Sequence, residues 1–278
     1  FCMSGVLYIV ATPIGNLDDI GLRAADTLKG VDMIAAEDTR HSARLLKHLG
    51  TRKKLFSLHE HNEHARIKKI IDALMAGSDI ALISDAGTPL ISDPGYALVK
   101  AVHEAGLKVS PIPGPSSIIA ALSGAGVATD QFSFYGFLSH RNKERIDKLQ
   151  AIKKQNGTLV LLESSHRILR LLEQLAEVFP DCQIVVAKEL TKTYEKFLRG
   201  KAEELLAMFA EDAALSKGEF VVLVDNPVSD SEKQLNQDDI ELLRHLLAEM
   251  PLKKAVQLAS KISGKKRNAL YQRALEID

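Results

Sequence analysis

The 278-residue sequence predicts an α/β protein built from two successive α/β units and closed by a small helical module. Three observations carry that prediction. Short β-branched runs alternate with stretches of helical periodicity, the alternation restarts after the turn Pro111-Ile-Pro-Gly-Pro115, and the last forty or so residues show helical spacing without strands. In the first unit, residues 7–12, 31–36, 80–84 and 109–112 read as strands. Residues 22–28, 43–49, 63–75 and 96–105 place apolar side chains at helical spacing, and Gly106 terminates the last of them. Strand–helix–strand repetition implies a mainly parallel sheet with helices on its faces. In the second unit, residues 132–135, 158–162, 184–187 and 219–224 read as strands. The expected organisation is an N-terminal α/β domain over 6–115, a second over 116–226, a polar linker over 227–237 and a basic helical module over 238–278. Within the module, helices at 238–250, 252–262 and 266–277 are separated by Pro251 and Gly264, a spacing that resembles helix-turn-helix.

Composition narrows the class. A 46% hydrophobic and 26% charged content is that of a folded globular chain. No stretch approaches the roughly 20 apolar residues of a spanning helix and no export signal is evident, so a cytoplasmic protein without membrane attachment is expected. Cys2 and Cys182 supply neither a disulfide framework nor a cysteine zinc site. The 36 Lys+Arg balance the 36 Asp+Glu, but the charge is segregated. Between Leu252 and Arg273 lie Lys253, Lys254, Lys261, Lys265, Lys266, Arg267 and Arg273 without one acid; two further basic runs span 40–54 and 141–154, the latter diluted by Glu144 and Asp147. Such runs suit a polyanion, and ordinary solvated helix faces are the competing reading.

In α/β sheets, ligands bind beyond the carboxyl ends of the strands. Those positions hold Thr12-Pro-Ile-Gly-Asn16, Glu37-Asp-Thr-Arg40, Asp85-Ala-Gly-Thr-Pro89 and Pro113-Gly-Pro-Ser-Ser117. Gly and Pro fix tight turns there, and Ser116 and Ser117 stand where a helix offers free N–H groups. Four such loops on one edge point to a bound small molecule. Neither G-x-G-x-x-G nor the P-loop pattern occurs, which disfavours ordinary dinucleotide and P-loop chemistry. His59-Glu-His-Asn-Glu-His64 has no established metal spacing, so no metal is expected, and Glu163-Ser-Ser-His166 lacks the glycine elbow of a serine nucleophile.

Longer motifs add a resemblance. Leu7-Tyr-Ile-Val-Ala-Thr-Pro-Ile-Gly-Asn-Leu17, Ile34-Ala-Ala-Glu-Asp-Thr-Arg40, His59-Glu-His-Asn-Glu63, Ile83-Ser-Asp-Ala-Gly-Thr-Pro-Leu90, Ile91-Ser-Asp-Pro-Gly-Tyr96, Leu190-Thr-Lys-Thr193 and Lys217-Gly-Glu219 resemble the rRNA-modifying branch of the tetrapyrrole methylase superfamily. The likeness also takes in Leu252-Lys-Lys-Ala255 and Lys266-Arg-Asn-Ala-Leu-Tyr271, and so runs from about Leu7 to the C-terminus; Phe1 and Cys2 fit no part of it and are assigned no role. Where small-molecule members carry G-x-G-P-G-D, this chain has Ala11-Thr-Pro-Ile-Gly-Asn16, which favours the RNA branch.

The resemblance implies two α/β domains of tetrapyrrole methylase type with a cofactor cleft between them. It also implies S-adenosylmethionine-dependent 2′-O-methylation of a cytidine in the decoding region of 16S rRNA, free or in the small ribosomal subunit, by a cytoplasmic homodimer. Carried onto matching positions, it places cofactor contacts at Pro13, Asp85, Gly87, Ser116, Ser117, Leu162, Leu190 and Glu219. Methyl transfer to a ribose hydroxyl needs placement and either a base or a cation for the developing alkoxide. Asp38, Arg40, Lys188 and Glu189 at strand ends are the candidates, with structural ion pairing as the alternative for each. Lys253, Lys254, Lys265, Lys266 and Arg267 are the candidate RNA contacts, and Tyr271 either stacks on a base or packs in the core. Two other readings stay open: a methylase of this fold acting on a small tetrapyrrole or a protein residue, and a non-catalytic RNA-binding protein.

Overall fold

The computed structural model describes residues 4–59, 62–226, 235, 237–265 and 267–277. Its first sheet consists of β1 (Val6–Val10), β2 (Met33–Ala36), β3 (Lys54–Ser57), β4 (Ile80–Ile83) and β5 (Lys108–Ile112). They lie in the order β3-β2-β4-β1-β5, and every pairing is parallel. Alternation along each strand explains how both faces are filled. Val10, Ile34, Ala36, Ala81 and Ile83 face α1 (Leu22–Gly30) and α2 (Thr39–His48). Leu7, Ala35, Ile80 and Leu82 face α3 (Glu63–Met75) and α4 (Tyr96–Glu104). A strand sealed on both faces must be apolar at every position, which is why Ile80–Ile83 is buried throughout.

The second sheet comprises β6 (Phe132–Phe137), β7 (Gly157–Ser164), β8 (Gln183–Lys188), β9 (Lys196–Gly200) and β10 (Glu219–Asn226), in the order β6-β7-β10-β8-β9. Only β6 and β7 are parallel; β10 runs antiparallel to both neighbours, and β9 antiparallel to β8. One face carries α6 (Asn142–Lys153), α7 (Ile168–Val178) and α8 (Ala202–Glu211) over Leu159, Leu161, Ile184, Val186, Val222 and Val224. The other receives α5 (Ser117–Ala125) on Val160, Val185, Ala187, Val221 and Leu223, with Ile14 from the β1 loop in the same cluster. Residue 14 therefore joins the two units through a shared apolar core.

The C-terminal helices α9 (Gln237–Glu249), α10 (Leu252–Ser263) and α11 (Arg267–Leu275) close on their own core of Leu243, Val256, Ala259, Leu270 and Ala274. Gly264 ends α10 in the left-handed region, φ 70°. Most of the expected linker, residues 227–234 and 236, lies outside the described residues, as do Phe1 and Cys2. Two strands go beyond the sequence reading. Both β3 and β9 are edge strands whose short, part-polar sequences, KLFS and KFLRG, carry little of the apolar run that marks a central strand.

Candidate active site

The strand-end loops converge. A cavity of about 510 Å³ opens between the sheets, lined by Glu37, Asp85 and Asp93 from the first unit and by Leu162, Ser164, Leu190 and Glu219 from the second. A second, of about 310 Å³, continues it beneath Pro13 and Gly15, with Ile14, Asp85, Ala86 and Glu219 common to both. These volumes are those of ligand pockets.

Local chemistry shapes each wall. Thr12 and Gly87 exchange backbone hydrogen bonds, Thr12 N donating to the Gly87 carbonyl at 2.8 Å and Gly87 N to that of Thr12 at 3.0 Å. This pins the β1 and β4 loops together. Gly87 has φ +81°, and a Cβ there would meet Ile14 Cγ2 at 3.3 Å; the residue braces the turn from behind while Ala86 lines the cavity. Downstream, Leu90 (φ 73°) and Ser92 (φ 69°) hold the β4 loop in a left-handed course, and Glu189 (φ 50°) and Thr191 (φ 63°) do the same after β8. Among the described residues, all four non-glycine positions with positive φ lie in the two loops that frame one cleft, which marks it as the place where strain is tolerated.

Carboxylates dominate the first-unit wall. Burial, then the charges of Asp85 and Asp93, push the Glu37 carboxyl above its ordinary range. Burial and Asp85 do the same to Asp93, against an opposing hydrogen bond from Ser84. Across the cleft stands Lys192, which donates to Glu189 Oε1 at 3.0 Å and Glu219 Oε2 at 2.9 Å. Burial works against its charge, but the two carboxylates outweigh burial and raise its pKa. Glu189 also accepts the Glu219 N–H; burial would raise its pKa, and these partners hold it below the usual range. The β1 loop rests on this group, with Asn16 N donating to Thr191 Oγ1 at 3.1 Å.

Of the expected contacts, Pro13, Asp85, Ser117, Leu162, Leu190 and Glu219 line the cavities. Ser116 stands just outside as the N-cap of α5, without a side-chain capping bond, and so leaves the first-turn N–H groups of that helix to other partners. Asp38 caps α2 instead, accepting the Arg40 N–H at 2.8 Å, and that bond lowers its pKa. Its own N–H goes to Asp85 Oδ1 at 3.0 Å. Arg40 is almost fully exposed on α2. Lys188 departs most from expectation: it is turned to the far face of the sheet, donating to the Lys217 carbonyl with its Nζ 5.8 Å from the centre of the Phe220 ring. Alternation along β8 gives the cleft Ala187 and sends its neighbour away. The sequence reading passed over Glu37, Asp93 and Lys192, though each lies within a motif it quoted.

Asn62 Oδ1 accepts the His59 N–H at 3.0 Å, and buried Glu63 accepts the Leu98 N–H at 2.8 Å, capping α4. Glu60 and His61 lie outside the described residues. Among the described residues, no cluster of His, Cys, Asp or Glu is placed to hold a metal, and no helix is long and apolar enough to cross a membrane.

In the C-terminal module, Lys253, Lys254 and Arg267 are exposed, and Lys266 lies outside the described residues. Lys265 departs from the expected free cation: it pairs with the largely buried Asp239 of α9 at 3.5 Å. Arg273 pairs with Glu276 at 2.6 Å. Tyr271 is exposed rather than core.

Two sheets meeting at a cleft over their loop ends define the tetrapyrrole methylase class. The family model for Tetrapyrrole (Corrin/Porphyrin) Methylases matches residues 6–206, and that for the RsmI C-terminal HTH domain matches 233–278. Solved structures share the fold at low identity. Diphthine synthase aligns with TM-score 0.64 and 18% identity over 87% of this chain and 95% of its own. Uroporphyrin-III C-methyl transferase from Thermus thermophilus, complexed with S-adenyl homocysteine, aligns with TM-score 0.56 and 18% identity over 79% and 97%. Sequence relatives are nearer. Ribosomal RNA small subunit methyltransferase I of Escherichia coli O157:H7 is 49% identical over 98% of this chain and 95% of its own length, and that of Synechocystis is 42% identical over 99% of each. The chain belongs to the ribosomal RNA small subunit methyltransferase I family.

Proposed function

We propose that this protein uses S-adenosylmethionine to methylate the ribose 2′-oxygen of a cytidine in the decoding region of 16S rRNA, as a cytoplasmic homodimer acting on the free RNA or on the small subunit. The observation that carries the reading is the polarity of the cleft. Three carboxylates, Glu37, Asp85 and Asp93, share one wall with the uncapped N-terminus of α5 at Ser117. Mutual repulsion of the carboxylates is relieved by a cationic ligand, and free helix N–H groups favour a carboxylate. A sulfonium amino acid carries both kinds of charge, so the residues present fit the cofactor. The family matches support the RNA assignment, because the C-terminal module is matched together with the methylase region.

When bound, the cofactor supplies an electrophilic methyl group; its transfer forms a C–O bond, breaks a C–S bond and requires the ribose hydroxyl to lose its proton. Glu37 is the group suited to take that proton. It faces the cavity, and burial with its acidic neighbours makes it a stronger base than Asp38, whose carboxylate is occupied by the α2 N-terminus. Lys192, on the opposite wall, is the cation suited to the developing alkoxide, and Glu189 and Glu219 fix its position. Pro13, Leu162 and Leu190 supply apolar wall to the cleft. Calorimetric titration with S-adenosylmethionine tests the binding half of the proposal: one site per chain, weakened by Glu37→Gln and by Asp93→Asn, is expected. Binding indifferent to both substitutions would remove the acidic wall from the site.

A further inference from the structure

The basic run at 40–54 is not absorbed by the cleft chemistry, and the structure gives it a shape. Helix α2 starts at the carboxyl end of β2, at the cleft mouth, and buries Ser42, Leu45 and Leu46 against the sheet. Arg40, Arg44 and Lys47, spaced i, i+4, i+7, form one exposed stripe over roughly 10 Å of helix. Arg44 and its neighbour His41 line the smaller cavity, so the stripe begins at the site itself. After the helix the chain turns at Gly50 (φ 66°) and presents exposed Arg52 and Lys54, with part-buried Lys53, along the start of edge strand β3. Lys54 then opens onto a groove of about 310 Å³ that Arg66 and Lys69 of α3 also line, Arg66 lying 6.0 Å from the centre of the Phe56 ring.

Among the described residues, Arg44, Lys47, Arg52, Lys53 and Lys54 have no acidic side chain within ion-pair distance, in contrast to Lys265 and Arg273 of the C-terminal module. Arg40 has only its capping neighbour Asp38 at 3.8 Å, and on the adjacent flank His48 meets Asp18 at 3.6 Å. Uncompensated like charges arranged in a line, starting at a cleft and ending at a sheet edge, are complementary to a polyanionic backbone.

We propose that the stripe from Arg40 along α2 to Lys54 is the track along which RNA phosphates lie when a nucleotide is presented to the cleft. This deepens the rRNA reading above and rests on it. The α2 track and the C-terminal module then offer the RNA two separate basic surfaces. Phosphate contacts of this kind hold the strand in register and carry no sequence information.

The test uses the full chain and a small-subunit rRNA transcript, with binding followed by fluorescence anisotropy across a salt series. The variant Lys47→Gln/Arg52→Gln/Lys54→Gln alters exposed side chains outside both cleft cavities. At about 0.7 to 0.9 per phosphate contact, its log–log salt slope is expected to be shallower by roughly 2 to 3, so affinity lost between about 50 and 200 mM salt is reduced some 20- to 40-fold. Its affinity for S-adenosylmethionine is expected to equal that of the parent. A control of equal charge change, Lys29→Gln/Lys100→Gln/Lys108→Gln, uses exposed cations away from β3 and is expected to keep the parental slope. A parental slope in the first variant, or equal flattening in both, overturns the track. If the unaltered chain neither binds nor methylates the transcript, the rRNA reading itself fails.

Discussion

Substituting Gly15 by Ala probes the junction of the two units. A Cβ at this position would lie 2.6 Å from Lys192 Cγ, 2.8 Å from Thr191 Oγ1 and 2.9 Å from the Leu190 carbonyl oxygen. Ordinary contact begins near 3.4 Å, so the carbonyl must retreat by about 0.5 Å and the lysine stem by about 0.8 Å. Neither moves freely. Lys192 is held at 3.0 Å and 2.9 Å by two carboxylates, and Leu190 packs in the core beneath the cleft. Overpacking plus a weakened Asn16–Thr191 hydrogen bond is expected to cost about 1 to 2 kcal/mol, or some 2 to 8 °C in Tm. Displacing Lys192 and the β1 loop by this much is expected to lower methyl transfer roughly 10- to 100-fold. Thermal melts and single-turnover assays with a small-subunit rRNA substrate measure both. Gly30→Ala is the control, because nothing lies within 4 Å of its Cβ at the end of α1, and it is expected to be neutral or slightly stabilising. Parental turnover in the Gly15 variant would refute the claim that these two loops set the reacting geometry.

Glu37→Gln separates stability from function. A carboxyl whose folded pKa is raised costs stability where it is ionised, and the cost disappears as pH falls through that pKa. The variant is therefore expected to exceed the parent by less than about 1 kcal/mol at neutral pH, with no difference near pH 4, while turnover falls about 10²- to 10⁴-fold; pH-dependent melts beside rate measurements check both. Lys192→Gln is expected to reduce turnover about 10²- to 10³-fold with cofactor affinity changed far less, and a loss confined to cofactor binding would rule out the alkoxide role. In the second unit, Arg145 and Glu163 are both about 1% exposed and lie 3.9 Å apart, with Arg167 reaching Glu163 Oε1 at 3.2 Å. Arg145→Leu removes one of the two cations beside this buried carboxylate, together with the donor to Gln174, and is expected to cost about 1 to 3 kcal/mol by denaturant titration, part of it recovered in the double variant with Glu163→Leu.

Much of this architecture is legible in sequence because local pattern and global fold agree. Ile80–Ile83 reads as a sealed strand, and Pro13, Asp85 and Ser117 sit at strand ends where ligand loops belong. What escapes the sequence depends on non-local geometry. Pairing of β10 between β7 and β8 reverses the strand direction in the second sheet, and no local signal in residues 219–226 announces it. Glu37 and Asp38 are chemically alike neighbours; only the entry of the chain into α2 assigns one to the cleft and the other to the cap. Lys188 shows the same limit, since a single pleat decides which face it joins. Lys265 belongs to a stretch without acids, and its partner Asp239 comes from α9, outside that stretch.

Transfer of a labelled methyl group from S-adenosylmethionine to small-subunit rRNA, followed by nucleoside mapping of the product, addresses the central claim directly. One labelled cytidine in the decoding region, modified on the 2′-oxygen, is expected, with label lost in the Glu37→Gln and Lys192→Gln variants. Label on a base, label on a protein or tetrapyrrole with none on RNA, or undiminished labelling in both variants would contradict it.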